Sequence, residues 1–366
     1  MIHFFVPADQ AWIIENLRDR LSSEAAELMS VHTYLSAEKS IHLEPGSVIF
    51  TGLGVLTETQ RKVAKSIWER LDQPDIPFRL MNHPTQSLGR YELLKTLYER
   101  GLNRFRAFRI HELAETEPKY PVFVREEFNH SGSLTGQIFD RNSLENSIEE
   151  LCSKGYRKDH LLVVEFMDTS GSNGLFKKYS VQKMGDDIIP RYLTMDQHFV
   201  VKENTPPSKE AHLYSANQVE EEIQFMQENP HEEELRKIFK IAGIDFGRID
   251  YGIKNGQIQT WEINTLPTFG SAPGTGRSRK RKNRDLSKKL FYDWMSNTFL
   301  EIAAEAYGEK VELKIPDEIV SRVRREWVKQ KSVSLMVKAG EKLPRIPLAA
   351  SLRTEIKRRV RNLKER

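Results

Sequence analysis

The stretch IDFGRIDYGIKNGQIQTWEINTLPT, residues 244–268, predicts two strands joined by a tight turn. Asn255-Gly256 lies between two runs of β-forming residues, which is a strong hairpin signal. Asp250 lies on the first strand, and Glu262 and Asn264 lie two apart on the second, so these two face the same side. Two carboxylates and an amide oxygen form a hard-ligand set suited to Mg²⁺ or Mn²⁺, with nucleotide phosphates completing the coordination.

The geometry of the turn decides whether Asp250 joins the other two side chains. A two-residue turn would place Asp250 opposite Trp261, with its carboxylate on the wrong face. A three-residue loop, Lys254 to Gly256 with the glycine in a G1 bulge, pairs residue 253 with 257 and brings Asp250 to the face of Glu262. The metal hypothesis therefore predicts the bulged turn. The alternative is a half-buried hairpin whose polar residues simply face solvent.

The first part of the chain alternates strand and helix patterns, which favours a small parallel-sheet domain over residues 1–83. Thr57 and Gln60 form a capping-box pattern at the start of its second helix. Strands are predicted at residues 2–6, 47–51 and 78–81, and helices at 11–21 and 57–71.

The remainder of the chain has the mixed texture of an α+β region followed by a charged tail. Residues 203–234 are rich in Glu, Pro and Asn and are predicted to be exposed, and residues 308–366 are predicted to form a basic helical tail. Strands are predicted at 120–125, 137–139, 161–166, 178–183 and 188–193, and helices at 87–101, 144–153, 233–242 and 286–307.

Arg248-Ile249-Asp250, followed twelve residues later by Glu262-Ile263-Asn264-Thr265-Leu266-Pro267, resembles the metal-binding end of the ATP-grasp superfamily, and within it the D-alanine:D-alanine ligase pattern. The resemblance covers about residues 82–305. It implies an ATP-grasp fold of the α/β and α+β class, with two α+β subdomains clasping ATP. Its parts would be a pre-ATP-grasp domain at 1–83, a central subdomain at 84–165, a C-terminal subdomain with the metal site at 166–307, and the tail at 308–366.

The same resemblance implies a nucleotide site. Cationic contacts to the phosphates are implied for Arg90, Arg125 and Lys202, with Lys95 on the helix that carries Arg90. Close approach of backbone N–H groups to the phosphates is implied in the loop 131–136, at Ser131, Gly132 and Ser133. An adenine hinge and a ribose contact are implied after a buried strand, at Glu165, Phe166, Met167 and Asp168.

The implied chemistry is phosphorylation of a carboxylate to an acyl phosphate, which an amine or similar nucleophile then attacks. Arg248 would stabilise the charged tetrahedral intermediate, since a guanidinium stays charged and donates in a fixed fork. Its alternative role is a salt bridge to Asp250 or Glu262. Arg125 stands where most members have lysine, Thr268 replaces a common glycine, and the glycine- and serine-rich substrate loop is missing, so D-alanine is not carried over as substrate.

Composition limits the other classes. The chain has 366 residues, 39% hydrophobic and 30% charged, which excludes a wholly disordered protein. A single cysteine excludes an intramolecular disulfide framework and a multi-thiolate metal site. The start MIHFFVPADQ lacks a signal-peptide pattern, and no apolar run reaches about 20 residues, so a cytoplasmic protein is expected.

Two basic stretches keep other functions open. Residues 277–289 hold eight Lys or Arg, and residues 353–366 hold seven. The first stretch is expected to attract an anionic substrate, and the tail leaves contact with a membrane surface or a partner open. A phosphotransferase acting on a hydroxyl is one alternative, and a nucleic-acid- or membrane-surface-binding protein is another, although the stretches lack interleaved aromatic residues. The expected partners are a carboxylate substrate and an amine co-substrate, and a homodimer is left open.

Overall fold

The computed structural model describes residues 1–34, 41–73, 76, 78–129, 132–199, 215–270, 284–304, 310–313 and 321. The strands, in chain order, are β1 (Ile2–Val6), β2 (Met29–Thr33), β3 (Ile41–Leu43), β4 (Gly46–Phe50), β5 (Phe78–Met81), β6 (Ala107–Arg109), β7 (Val122–Glu126), β8 (Leu161–Glu165), β9 (Phe176–Met184), β10 (Asp187–Asp196), β11 (Phe246–Lys254), β12 (Gln257–Asn264) and β13 (Val311–Leu313). The helices are α1 (Ala11–Arg18), α2 (Ser23–Glu27), α3 (Glu58–Leu71), α4 (Arg90–Glu99), α5 (Arg141–Ser153), α6 (Ala216–Glu228), α7 (Glu232–Ala242) and α8 (Asp285–Ala304). Short 3₁₀ helices lie at Leu53–Val55, Ile110–Ala114 and Lys158–His160.

The N-terminal domain is built on a parallel sheet in the order β2-β1-β4-β5, as the alternating pattern predicted. Alternate residues of β1 enter two different cores. Phe4 stacks on Phe299 of α8, while Phe5 stacks on Phe50 on the side that α3 covers. Thr57 caps α3 with the predicted capping box to Gln60. Both faces of the sheet are therefore covered, which is typical of parallel sheets.

The central subdomain holds an antiparallel sheet in the order β6-β8-β7. Helix α5 packs on one face through Leu144 and Ile148, and α4 packs on the other through Leu94. Gly101, in the left-handed region with φ 70°, directly follows α4, as the sequence predicted for the C-cap. This placement of α4 brings its first residue, Arg90, to the end of β7, where it donates to the carbonyl oxygens of Glu126 and Glu127.

The C-terminal subdomain holds a second antiparallel sheet, in the order β10-β9-β11-β12. Helices α6, α7 and α8 cover one face, with Phe225, Phe239 and Met295 in the shared core. The other face carries polar side chains and lies toward the central subdomain, to which Asn103 ties it by hydrogen bonds with the backbone of Thr260. The prediction of a mixed α/β and α+β fold is confirmed, while the proposed domain boundaries stay predictions.

Two local predictions outside the β11–β12 hairpin are wrong, the first for residues 137–139 and the second for the start of the tail. Residues 137–139 form no strand: Ile138 makes a single bridge to Val122, and the chain then enters α5 at the N-cap Asp140. The polar stretch 203–234 is predicted to be largely exposed, and its described residues are mostly exposed or half-buried, while α6 buries Glu222, Phe225 and Met226 on one face at i, i+3, i+4 spacing. Residues 203–214 lie outside the described part of the chain.

The tail was predicted to be helical from residue 308, yet Val311–Leu313 is a strand that pairs with β3. The alternation of Val311, Glu312 and Leu313 has a period of two, and Leu313 is buried in the α3 core. Apart from residues 310–313 and 321, the tail lies outside the described part, including the basic stretch 353–366. No helix among the residues that are described is both long and apolar enough to pass through a bilayer.

One buried side chain joins the N-terminal domain to the C-terminal sheet. Asn82, fully buried with φ 64°, donates to the carbonyl oxygens of Phe50 and Phe246 and accepts from the N–H groups of Asp245 and Phe246. Asparagine tolerates this left-handed backbone better than most residues. The side chain therefore satisfies buried backbone groups of both units at their junction.

We expect Asn82→Ala to lower the free energy of unfolding by about 2–4 kcal/mol, because it leaves several buried backbone groups without their hydrogen-bond partner and adds backbone strain. Urea unfolding followed by tryptophan fluorescence measures this. Asn142→Ala on the exposed side of α5 is the matched control and should change stability by less than about 0.5 kcal/mol. Equal stability of the two variants would contradict the junction's role.

Two histidines beneath the parallel sheet make the fold sensitive to acid. His3 contacts Ser30 at 2.6 Å and the Glu44 carbonyl oxygen at 2.7 Å, and His32 contacts Ser30 at 3.0 Å. Burial, and then the charge of His3, lower the pKa of His32 to about 4, and burial also lowers the pKa of His3. Both rings are therefore neutral at pH 7.

Because the unfolded chain takes up these protons near pH 6.5, we expect stability to be full above that pH and to fall as the pH drops toward 4. The loss attributable to His32 is about 2–3 kcal/mol. Comparing urea midpoints of wild type and His32→Gln at pH 7 and pH 4.5 measures it. The variant should lose less stability over this interval, and an identical loss in both proteins would refute the assignment.

Candidate active site

The hairpin β11–β12 brings the predicted metal ligands to one face through a bulge within its strands rather than at its turn. Its turn is the two-residue form: Lys254 pairs with Gln257, and Asn255 and Gly256 have φ of 51° and 73°, the left-handed pair of a type I′ turn. The prediction of a bulged turn is therefore wrong. The bulge lies instead inside the hairpin, where the register shifts between the pairs Tyr251–Thr260 and Asp250–Glu262.

Trp261 is the extra residue of this bulge. A Cβ atom on Gly252 would lie 2.9 Å from the Trp261 ring, so glycine leaves the space that the indole occupies. The ring packs against the core of the central subdomain beside Met167. Since a bulge reverses the side-chain alternation of one strand, Glu262 and Asn264 face the same side as Asp250, as the metal hypothesis requires.

Glu262 lies between two buried arginines. Its Oε2 accepts hydrogen bonds from Arg90 Nη2 at 2.6 Å and from Arg125 Nη2 at 2.8 Å. Both arginines are 8% exposed. Burial, and then the neighbouring charge of Arg90, lower the pKa of Arg125 to about 10, so the guanidinium stays charged at neutral pH. Its buried Nε has no hydrogen-bond partner among the described residues, so one donor of this cation is left unsatisfied.

Arg90 also connects this carboxylate to the end of β7. Its Nη1 donates to the carbonyl oxygens of Glu126, Glu127 and Asn129, just before the predicted phosphate loop. The predicted role of Arg90 near the phosphates therefore has a second part, which is to hold the base of that loop. Lys95 lies away from the site: it is half exposed and contacts Glu112 at 3.8 Å.

Asp250 is the centre of the second charged group. Ser180 donates to its Oδ1 at 2.6 Å, Arg248 Nε donates to the same atom at 2.9 Å, and Lys178 Nζ lies 3.5 Å from Oδ2. Burial alone would raise the pKa of Asp250, but Arg248 and Lys178 outweigh it and hold the pKa below the ordinary value. Arg248 makes the salt bridge to Asp250 that was its alternative role, and this contact holds its guanidinium beside that carboxylate.

Lys178 and Ser180 were missed by the sequence reasoning. They lie on β9, which pairs with β11, so that Ser180 stands opposite Asp250. Burial lowers the pKa of Lys178, but the charges of Asp250 and Tyr192 outweigh it and raise the pKa overall. The signal that could have found them is the alternation of the polar residues Lys178, Ser180 and Gln182 with Tyr179 and Val181 in the middle of the strand.

The donor set fits a magnesium ion. Asp250 and Glu262 face each other across two strands, and the Asn264 amide oxygen, which accepts from Leu266 N–H at 2.8 Å, keeps a second lone pair. Among the described residues no three His, Cys, Asp or Glu side chains converge on one point. Mg²⁺ would therefore take these two carboxylates, the amide and oxygens of the nucleotide, which matches its preference for few protein ligands.

The predicted adenine hinge is only partly available. The Glu165 carboxylate is buried and accepts from Arg106 and from the Lys119 N–H, so this side chain is structural. The N–H groups of Glu165 and Phe166 donate to the carbonyl oxygens of Arg106 and Pro121. A backbone donor for adenine would thus come from Met167, the next residue, which packs with the Trp261 cluster.

Aromatic rings cluster beside the hinge. Phe166 lies 5.3 Å from Phe199 and 6.3 Å from Phe176, measured between ring centroids, and Phe123 lies 5.9 Å from Phe199. These rings pack against one another and form an apolar surface of the kind that suits a purine base. Asp168, the predicted ribose contact, is exposed at the edge of this region. The hydrogen bonds from Ser170, first from its hydroxyl, lower the pKa of Asp168 and orient its carboxylate.

The predicted phosphate loop is described in part. Gly132 has φ 89°, which only glycine adopts readily, and Ser133 bridges to Arg125 while its hydroxyl donates to the Thr135 carbonyl oxygen. The loop therefore folds back over the strand that carries Arg125. Ser131 and Lys202 lie outside the described residues, as do Arg279 to Lys282 of the first basic stretch.

No family model matches the chain, and no curated protein matches its sequence. Among solved structures, the chain is similar to a D-alanine–D-alanine ligase from Bacillus anthracis, at 13% identity and TM-score 0.44, over 89% of this chain and 98% of that one. It is similar to VanG D-Ala:D-Ser ligase from Enterococcus faecalis, at 13% identity and TM-score 0.47, over 82% and 98%. It is similar to a RimK domain ATP-grasp protein from Sphaerobacter thermophilus, at 11% identity and TM-score 0.44, over 83% and 100%.

Proposed function

We propose that this protein is an ATP- and Mg²⁺-dependent ligase that activates a carboxylate as an acyl phosphate for attack by an amine. The observation that carries the proposal is the pair Asp250 and Glu262, facing each other across two strands with cationic side chains on both. Arg90, Arg125, Lys178 and Arg248 share these two carboxylates. A surplus of buried cations beside hard oxygen ligands suits a triphosphate and its metal.

The charged groups would divide the work by position. Arg90 and Arg125, on the central subdomain, would bind phosphate oxygens and neutralise charge during phosphoryl transfer. Asp250, Glu262 and Asn264 would hold a divalent cation, which supplies Lewis-acid stabilisation of the phosphates when bound. The resemblance adds Lys202 and the loop of Ser131, Gly132 and Ser133 to the same phosphate site.

Arg248 is the proposed catalytic residue. Its two contacts to Asp250, at 2.9 and 3.2 Å, fix the guanidinium beside the metal ligands. A fixed, permanently charged donor can stabilise the oxyanion that forms when the nucleophile attacks, without reorganising. The aromatic cluster of Phe166, Phe176 and Phe199 would bind the adenine and exclude water from the adenine end of the nucleotide site.

The proposal is tested by ADP release with Mg²⁺ against pooled carboxylates and amines, with hydroxylamine as a trapping nucleophile. We expect ADP and a hydroxamate to form only when a carboxylate is present. ADP release that gives a phosphorylated hydroxyl product, independent of any amine, would replace the ligase with a phosphotransferase. Absence of nucleotide binding, together with RNA or anionic-vesicle binding that falls steeply with salt, would favour the binding-protein alternative.

A further inference from the structure

Four cationic side chains surround one aromatic ring on β10. The charged groups of Lys178, Arg191, Arg248 and Arg284 lie between 5.4 and 6.0 Å from the centroid of the Tyr192 ring. This distance is within the reach of cation–π attraction, which offsets part of their mutual repulsion. Sequence reasoning placed Arg248 at the reaction centre and Arg284 in the basic stretch 277–289, and it assigned no role to Lys178, Arg191 or the Tyr192 ring.

A β-bulge in β10 places Arg191 in this cluster. The register of β10 against β9 shifts between Pro190 and Tyr192, so Arg191 is a bulged residue. Its guanidinium donates to the Thr268 carbonyl oxygen at 2.6 Å and lies 4.7 Å from the Phe269 ring centroid. Bulges that re-aim a side chain are over-represented next to active sites. Arg191 thus lies against the chain segment that directly follows the metal strand.

The cluster lies in the same row of the sheet as the metal ligands. Tyr192 pairs with Ser180, Ser180 with Asp250, and Asp250 with Glu262. At about 4.8 Å per strand, the row spans about 14 Å from Tyr192 to Glu262. The triphosphate side lies at the Glu262 end, and Arg248 lies between the two ends. A molecule whose reacting carboxylate is beside Arg248 can therefore extend toward Tyr192.

The charges around Tyr192 favour an anion. Lys178 and Arg248 share the Asp250 carboxylate, and Arg284, buried at the start of α8, pairs with Glu222 on α6. Arg191 adds a further guanidinium to these pairs, directly beside the ring. Guanidinium groups bind carboxylates and phosphates in fixed, paired geometry, so four cationic groups around one ring suit an anionic ligand.

We propose that the carboxylate substrate carries a second anionic group, a carboxylate or a phosphate, which binds beside Tyr192 through Arg191 and Arg284. This inference names the substrate class for the proposed ligase and rests on that function. Arg191 and Arg284 are then specificity-determining residues, and the Tyr192 ring packs against both guanidinium groups. The substrate would then be a dicarboxylate or a phosphorylated carboxylate.

Equilibrium binding of three matched acids tests this proposal by titration calorimetry, with Mg²⁺ and a non-hydrolysable ATP analogue present. Succinate, 3-phosphonopropionate and butyrate differ only at the end remote from the reacting carboxylate. We expect succinate or 3-phosphonopropionate to bind at least ten-fold more tightly than butyrate, and the better of the two identifies the anionic group. Arg191→Gln should reduce the preference to less than three-fold, and Arg191→Lys, which keeps the charge, should retain part of it.

The matched control is Arg157→Gln. Arg157 is an exposed arginine that pairs with Asp159 and does not belong to the cluster around Tyr192, so this variant should bind like wild type. Equal affinity of all three acids for wild type, including no binding of any, would overturn the proposal. A preference that Arg191→Gln retains would also overturn it. Because no turnover is needed, failure here is distinct from failure of the ligase proposal, which the ADP and hydroxamate assay decides separately.

Discussion

Glu262→Gln is expected to reduce ATP turnover by about a thousand-fold while leaving the fold intact. The change removes one negative charge and keeps the size of the side chain. Glu262 serves two functions in this account: it orients Arg90 and Arg125 at 2.6 and 2.8 Å, and it would hold the divalent cation. Glutamine can accept from one arginine, but it offers no charge to the metal, so both functions weaken together.

The matched control is Glu145→Gln, an exposed carboxylate on α5 that pairs only weakly with Arg141 at the surface. It should turn over ATP within about two-fold of wild type. Far-ultraviolet circular dichroism and the thermal midpoint check that Glu262→Gln is folded. Near-normal turnover in folded Glu262→Gln would show that the metal assignment is wrong.

Arg248→Gln is expected to lower kcat by about a hundred-fold or more, with a much smaller change in the KM for ATP. The guanidinium would act on charge that develops during the reaction, whereas the triphosphate would be bound mainly by Arg90 and Arg125 at the Glu262 end of the row. Removing it also deprives Asp250 of its closest cation, so the pKa of Asp250 should rise and the activity of the variant should fall at a higher pH than that of wild type.

Arg248→Lys separates these two effects, because it keeps a charge beside Asp250 but loses the fixed fork of the guanidinium. We expect the activity of Arg248→Lys to fall at the same acidic pH as that of wild type, while its kcat recovers only part of the loss seen in Arg248→Gln. An Arg248→Gln enzyme whose kcat is unchanged would show that Arg248 serves only as the salt-bridge partner of Asp250.

The hairpin shows how far sequence reasoning reaches. The alternation rule correctly required a one-residue offset to bring Asp250 and Glu262 together, but it placed that offset at the turn. Asn255-Gly256 forms the turn that its own preferences favour, and the offset lies at Trp261, where the indole packs into another subdomain beside Gly252. The position of a bulge depends on contacts from outside the hairpin, which a local pattern does not contain.

The nucleotide residues give a similar lesson. Arg125 was predicted on a strand before a glycine-rich loop and lies in β7, while its contact with the phosphates stays a prediction. Glu165 is different: its partner Arg106 comes from a neighbouring strand edge, so its structural role was not visible in the order of residues. Arg191 likewise becomes a site candidate only through the sheet order, in which β9 lies between β10 and the metal strand β11.

The measurement that tests the central claim most directly is the equilibrium affinity for ATP with and without Mg²⁺, by titration calorimetry on the full chain. If Asp250, Glu262 and Asn264 hold a divalent cation against a triphosphate, wild type binds ATP with micromolar affinity in the presence of Mg²⁺, and chelation weakens binding at least ten-fold. Glu262→Gln should lose most of this dependence on Mg²⁺. No ATP binding under either condition, or an affinity indifferent to Mg²⁺, would contradict the account.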